Sequence, residues 1–151
     1  MIEIIDYTDE YKADFRRLNL QWLDKYKLTE SHDLMVLDDP RKTILDGGGV
    51  IYLAKTEGQI VGSAALMKEY DGVYELAKMA VADEWQGKGI SKLLIEKCLA
   101  QARKLGAKKL ILFSNHQLQR AIGLYTKFGF RHVEVKDSPF ATADVKMELD
   151  L

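Results

Sequence analysis

Glu75-Leu76-Ala77-Lys78-Met79-Ala80-Val81, followed after four residues by Gln86-Gly87-Lys88-Gly89-Ile90-Ser91, is the stretch on which the reading of this chain turns. It predicts a strand, a glycine-rich turn and the N-terminus of an amphipathic helix. Two glycines let the backbone turn tightly and come close to a ligand, and the first N–H groups of a helix have no partner within it. Such amides, lying at the positive end of the helix dipole, cradle an anion, each contact contributing about 0.3–1 kcal/mol where exposed. The loop is not a P-loop, because neither the spacing before Gly87 nor the residue order after it fits Gly-x-x-x-x-Gly-Lys-Ser/Thr. A dinucleotide-binding turn fails too, since Lys92 stands where its third glycine is needed.

Outward from this stretch the chain alternates between clear elements and turn signals. Downstream, Ile90, Leu93, Leu94, Cys98, Leu99, Ala102 and Leu105 share one face of a helix that ends with Arg103, Lys104 and Gly106. Lys109 to Phe113 reads as a short apolar strand, Leu118 to Phe128 as a helix, and Phe130 to Val135 and Val145 to Leu149 as closing strands. Upstream, Val50 to Lys55 and Gln59 to Lys68 form a hairpin turning at Glu57-Gly58, and Asp71-Gly72 turns into Val73 to Val81. Ile2 to Ile5 opens the chain as a strand, and Thr8 or Asp9 is placed to cap a helix with Tyr11, Phe15, Leu18 and Trp22 on its inner stripe. Asp39-Pro40 predicts a second, short helix ending before Gly47-Gly48-Gly49. The order is β-α-α-β-β-β-α-β-α-β-β.

The run from Gln86 to Ser91 resembles the Gln/Arg-x-x-Gly-x-Gly/Ala acyl-CoA loop of the GNAT superfamily of N-acetyltransferases, with Ser91 in the last position. Ala121-Ile122-Gly123-Leu124-Tyr125-Thr126-Lys127-Phe128-Gly129-Phe130 resembles the second signature of that superfamily, a helix with Ala-x-x-Leu-Tyr-x-Lys-x-Gly-Phe closing at a glycine. The resemblance implies one α/β (α+β) domain over residues 1–151, a mixed, mostly antiparallel sheet of about seven strands flanked by about four helices. It also implies acetyl-CoA as co-substrate, bound by Gln86, Gly87, Lys88, Gly89, Ile90, Ser91 and Lys92. Main-chain groups of Met79, Ala80 and Val81, on a strand that splays from its neighbour, would hold the pantetheine arm and the thioester oxygen.

Length and composition set the outer limits. A chain of 151 residues and 17.2 kDa is about one domain and can bury a core without disulfides or metal. Lys+Arg 22 against Asp+Glu 23 leaves no basic field for nucleic acid or an anionic membrane, so anion recognition has to be local. No apolar run approaches the roughly 20 residues that cross a bilayer. The acidic start, Met1 to Asp6, has no signal-peptide pattern, and a single cysteine forms no internal disulfide, so a cytoplasmic protein is expected. His32, His116 and His132 have no metal-binding spacing, and no metal is expected.

Moving an acetyl group from a thioester to an amine requires a base for the amine proton, donors for the tetrahedral oxyanion and a proton for the thiolate. Glu75 is the candidate base: by strand alternation it lies among Val73, Ala77, Met79 and Val81, where desolvation would raise its pKa toward neutrality. The alternative is a strand-end carboxylate that is solvated or paired with a lysine. Tyr125 sits where the resemblance implies a tyrosine donating to sulfur, and it also belongs to a core stripe with Leu118, Ala121, Ile122 and Phe128. Asn115 either reaches the pantetheine amides or caps the following helix. The leading expectation is direct acetyl transfer to a primary amine in a ternary complex; transfer of a longer acyl group and a non-catalytic CoA-sensing module are the alternatives. The acceptor, a small molecule or a peptide amine, is not legible, although the segments that the resemblance implies for the acceptor side carry Trp22, Tyr26, His32, Glu69, Tyr70 and Phe140. A homodimer is a possibility by analogy alone.

Overall fold

The computed structural model describes residues 1–136 and 138–151. Among them seven strands form one sheet in the order β1-β2-β3-β4-β5-β7-β6. The strands are β1 Glu3–Asp6, β2 Val50–Thr56, β3 Gln59–Tyr70, β4 Val73–Val81, β5 Lys109–Ser114, β6 Arg131–Val133 and β7 Val145–Asp150. All neighbours run antiparallel except β4 and β5, which are parallel. The helices are α1 Lys12–Lys25, α2 Ser31–Asp38, α3 Ile90–Lys104 and α4 Gln119–Lys127. Among the described residues, no helix is long and apolar enough to cross a membrane.

The turns follow their chemistry. Glu57 and Gly58 both have positive φ, 51° and 73°, so the β2–β3 turn has the left-handed pair that matches the twist of a hairpin. Helix α3 stops at Gly106, whose φ of 76° lets Ala107 N–H reach back to the Ala102 carbonyl at 3.0 Å. Helix α4 closes the same way at Gly129, with Phe130 N–H donating to the Tyr125 carbonyl at 3.1 Å.

Four expectations are corrected. Helix α2 precedes Asp39 instead of following it, and after Pro40 only a π turn, Arg41–Leu45, forms, with Lys42 N–H donating to Asp39 Oδ1 at 3.3 Å. Helix α2 escapes periodicity because its apolar residues surround it: Val36 and Leu37 are buried while Leu34 and Met35 are exposed. The α3 stripe is also shifted, with Ile95 fully buried and Leu93 and Leu105 at the solvent edge. Thr8 and Asp9 lead into a short 3-10 turn, Asp9–Tyr11, and the Thr8 hydroxyl goes to Glu10 rather than to a helix amide. Strand β6 ends at Val133, two residues short of the expected Val135.

The departure that matters most for function lies in β4. Ala77 pairs with Ala65 and Ala80 with Ser63, so β4 spends one residue more than β3 over this span. The bulge reverses the alternation, so Ala80 and not Met79 or Val81 continues the face that carries Glu75 and Ala77. Lys78 takes up the distortion with a φ of 53°, a left-handed conformation costing a non-glycine residue about 1–3 kcal/mol. A buried chain of hydrogen bonds holds it: Asn19 Nδ2 donates to the Phe15 carbonyl (2.9 Å) and to Ser63 Oγ (3.0 Å), and Ser63 Oγ donates to the Lys78 carbonyl (2.7 Å).

Candidate active site

Strands β4 and β5 pair only through Val73↔Lys109, Tyr74↔Leu110 and Glu75↔Ile111. Beyond that point β4 continues to Val81 and β5 to Ser114 without pairing with each other, so the two strands part as the resemblance implied. The wedge between them opens a cavity of about 840 Å³, large enough for a drug-sized ligand. Its walls include the parted β4 edge from Leu76 to Val81, the turn into α3, Asn115, and the inner faces of α1 and α4.

At one end stands the glycine turn. Gly87 and Gly89 have φ of 76° and 81°, and Gly89 is the residue from which α3 starts. Side chains at these two positions would meet almost nothing, the nearest atom being Arg120 Nη2 at 4.0 Å from a Cβ at Gly87. Among the described residues, no acceptor takes the N–H groups of Gly87, Lys88, Gly89, Ile90, Ser91 or Lys92. These amides, with Arg120 beside them, are suited to an anion such as a diphosphate. Gln86 behaves differently from its neighbours: its Nε2 turns back to the Val81 carbonyl (3.2 Å) and Asp83 Oδ1 (3.3 Å), shaping the turn from within. Arg120 was not singled out from the sequence; it lies five residues before Tyr125 on α4, and its approach to Gly87 depends on how α4 packs.

At the deep end is Glu75, which is buried. Burial, then a hydrogen bond with Glu69 and the charge of Glu69, push its carboxyl up to about 8, although Lys78 pulls the other way. Glu69 is the extra residue of a second bulge, between Lys68 and Tyr70. Lys78 Nζ forms an ion pair with Asp33 Oδ1 at 2.7 Å, their side chains only 6% and 3% exposed. Asp33 Oδ2 accepts from the Glu30 backbone N–H at 2.9 Å, which pins the start of α2 over the cavity. Nothing in local sequence announced this pair, whose members lie 45 residues apart.

The roof is the segment 138–143. The Glu30 carboxylate accepts from Ala141 N–H and Thr142 N–H, both at 2.9 Å, and from the Thr142 hydroxyl. Asn115 has both amide atoms engaged within the chain, Nδ2 donating to the Thr142 carbonyl (2.8 Å) and Oδ1 accepting from Gln117 N–H (3.0 Å). It therefore organises the turn into α4 and ties it to the roof. Phe140 projects from the roof, its ring 5.5 Å from Lys78 Nζ and edge-on to His32 and Phe113. Tyr125 lines the cavity from α4, its ring edge-on to Phe130 at 5.8 Å. Burial raises its phenol well above the usual value, so it stays protonated at neutral pH. Trp22 and Tyr26, in edge contact at 5.2 Å, line the side formed by α1.

Comparison with known proteins agrees with this architecture. The family model described as Acetyltransferase (GNAT) family matches residues 7–130. The uncharacterized N-acetyltransferase YvbK of Bacillus subtilis (strain 168) is 32% identical over 105 residues, 68% of this chain and 68% of YvbK. The uncharacterized N-acetyltransferase YjgM of Escherichia coli (strain K12) is 32% identical over 101 residues, 65% of this chain and 60% of YjgM. In three dimensions, an acetyltransferase of the GNAT family from Staphylococcus aureus Mu50 superimposes with a TM-score of 0.90 at 22% identity, covering 99% of each chain. The PaiA N-acetyltransferase from Thermoplasma acidophilum, solved in complex with coenzyme A, gives 0.80 at 18% identity, covering 100% of this chain and 99% of that one. The chain belongs to the GNAT acetyltransferase family.

Proposed function

We propose that the protein transfers an acetyl group from acetyl-CoA directly to a primary amine, with both substrates bound in the one cavity. The observation that carries this reading is the convergence of three features on a single space: the unpartnered amides of Gly87 to Lys92, the parted edge of β4, and the buried carboxyl of Glu75. The diphosphate of the coenzyme lies against the cradle, with Arg120 at its side. The pantetheine arm runs along the open edge of Met79, Ala80 and Val81, whose main-chain groups meet its amides and the thioester oxygen. Asn115 serves this arm indirectly, through the turn it holds.

In the reaction the amine nitrogen attacks the thioester carbonyl, forming a C–N bond as the C–S bond breaks. Glu75, in its ionised form, takes the proton lost by nitrogen, directly or through water. Tyr125 gives its phenolic proton to the departing thiolate and is recharged from solvent. With a pKa near 8, Glu75 is a stronger base than an ordinary carboxylate, and its ionised fraction limits the rate below that pH.

The test is to incubate the protein with acetyl-CoA and a mixed amine library, following free thiol and the product masses. An amine gaining the mass of one acetyl group, with one thiol released for each, supports the reading. A protein that binds coenzyme A in calorimetry but releases no thiol above background with any amine overturns it in favour of a sensing module.

A further inference from the structure

Lys78 has no part in the chemistry proposed above, yet it is held at considerable cost inside the same cavity. Its backbone is left-handed, with φ 53°, and its side chain is 6% exposed. An ammonium carries three N–H donors, and burying donors without acceptors costs about 1–3 kcal/mol. Among the described residues Asp33 is the only hydrogen-bond acceptor at Nζ. The face of Phe140 covers another side of the ammonium without supplying an acceptor of comparable strength. Lys78 and Glu75 both line the cavity, and they interact electrostatically.

We propose that Lys78 binds a carboxylate of the acceptor, so that the amine acetylated by this protein is that of an amino acid or another small aminocarboxylate. The inference rests on the acetyl-transfer reading and deepens it. The deep end of the cavity holds both a carboxyl, that of Glu75, and the lysine with unmet donors. A zwitterion matches that pair, setting its amine toward Glu75 and its carboxylate toward Lys78. A simple alkylamine brings no acceptor to Lys78 and leaves those donors unmet. Asp33 balances the charge of Lys78, but its oxygens are committed to Lys78 and to the Glu30 amide, so it gives the ammonium one acceptor and leaves its other donors to the acceptor substrate. The rings of Trp22, Tyr26 and Phe140 along the cavity leave room for an apolar side chain on the acceptor.

The experiment compares matched acceptors that differ only in the carboxylate: phenylalanine with 2-phenylethylamine, and leucine with 3-methylbutylamine. We expect kcat/KM to favour the amino acid by about 10- to 100-fold, the range for one hydrogen bond to a charged group. Lys78→Met should erase that preference. Because it also strands Asp33, the double variant Lys78→Met with Asp33→Asn is measured beside it, with coenzyme A affinity by calorimetry as the check that the cavity is intact. Equal or better use of the decarboxylated amines by the unaltered protein, or a preference that survives in both variants, overturns the inference while leaving acetyl transfer standing. Failure of every acceptor in the pairs and in the wider amine library removes both.

Discussion

The two ends of the cavity are built in opposite ways. The cradle is one uninterrupted run, Gln86 to Lys92, and its working groups are main-chain amides set by the positive φ of Gly87 and Gly89. The deep end is assembled from α1, α2, the β4 bulge and the roof segment, and its working groups are side chains: Glu75, Lys78 and Asp33. A site of amides tolerates changes of side chain and is damaged by changes of backbone conformation. A site of buried charges depends on every partner, because removing one leaves the other uncompensated.

The largest effect is expected at Glu75. Glu75→Gln should lower kcat/KM by about 10²- to 10⁴-fold, the range for a general base, with coenzyme A affinity unchanged in calorimetry. The same substitution should raise thermal stability at alkaline pH. A carboxyl raised from 4.5 to about 8 by folding contributes stability below the lower value, and that contribution is lost as pH climbs toward the upper one. A glutamine has no proton to lose, so the melting temperatures of the two proteins should diverge as pH rises from 5 to 9. Melting curves that shift in parallel over that range would show that the carboxyl is not desolvated. In the unaltered enzyme the acid limb of kcat/KM should lie near pH 8, and Glu69→Gln should move it to lower pH, since Glu69 helps to hold the proton on.

Tyr125→Phe comes next, with turnover falling by roughly 10²-fold for the loss of a positioned acid. Retained folding and an unchanged rate would assign Tyr125 to the core it shares with Ile122 and Phe130. Gly89→Val follows, at the cradle. A branched residue at φ 81° is strained by about 1–3 kcal/mol, so coenzyme A binding should weaken by about tenfold while turnover at saturation stays close to normal. By contrast Lys88→Ala, which leaves the main chain alone, should alter the affinity far less. Equal losses in these two variants would mean that the cradle works through side chains after all.

The same contrast explains what could be read from the sequence. The cradle was legible because its signal is local: two glycines, a preceding strand and a following helix within about two turns of chain. The sheet was legible for the same reason, as the Glu57-Gly58 and Asp71-Gly72 turns mark their hairpins. Helix α2 was not, because Leu34 and Met35 face solvent while Val36 and Leu37 face the core, which leaves no stripe to count. Glu75 was found by alternation, but its neighbours were misassigned, because a bulge carries no residue signature here: Lys78 is neither glycine nor asparagine. The Lys78–Asp33 pair and the approach of Arg120 to Gly87 exist only once distant segments have packed.

Ser63→Ala should have the smallest effect and discriminate best between the two ends. The hydroxyl is fully buried, donates to the Lys78 carbonyl at 2.7 Å and accepts from Asn19 Nδ2 at 3.0 Å. Its removal leaves the Lys78 carbonyl without that donor, at a cost of about 1–3 kcal/mol, or several degrees of melting temperature for a domain of this size. Asn19 keeps its bond to the Phe15 carbonyl, so the damage centres on the bulge. Once that latch is gone, the left-handed backbone at Lys78 can relax, and Lys78 no longer faces Asp33 with the same precision. The acceptor KM should therefore rise a few-fold while coenzyme A affinity holds, since no part of the latch touches residues 86–92. If the affinity for coenzyme A falls in step with the acceptor KM, the bulge organises both ends of the cavity, and the division between a local cradle and an assembled acceptor site is wrong.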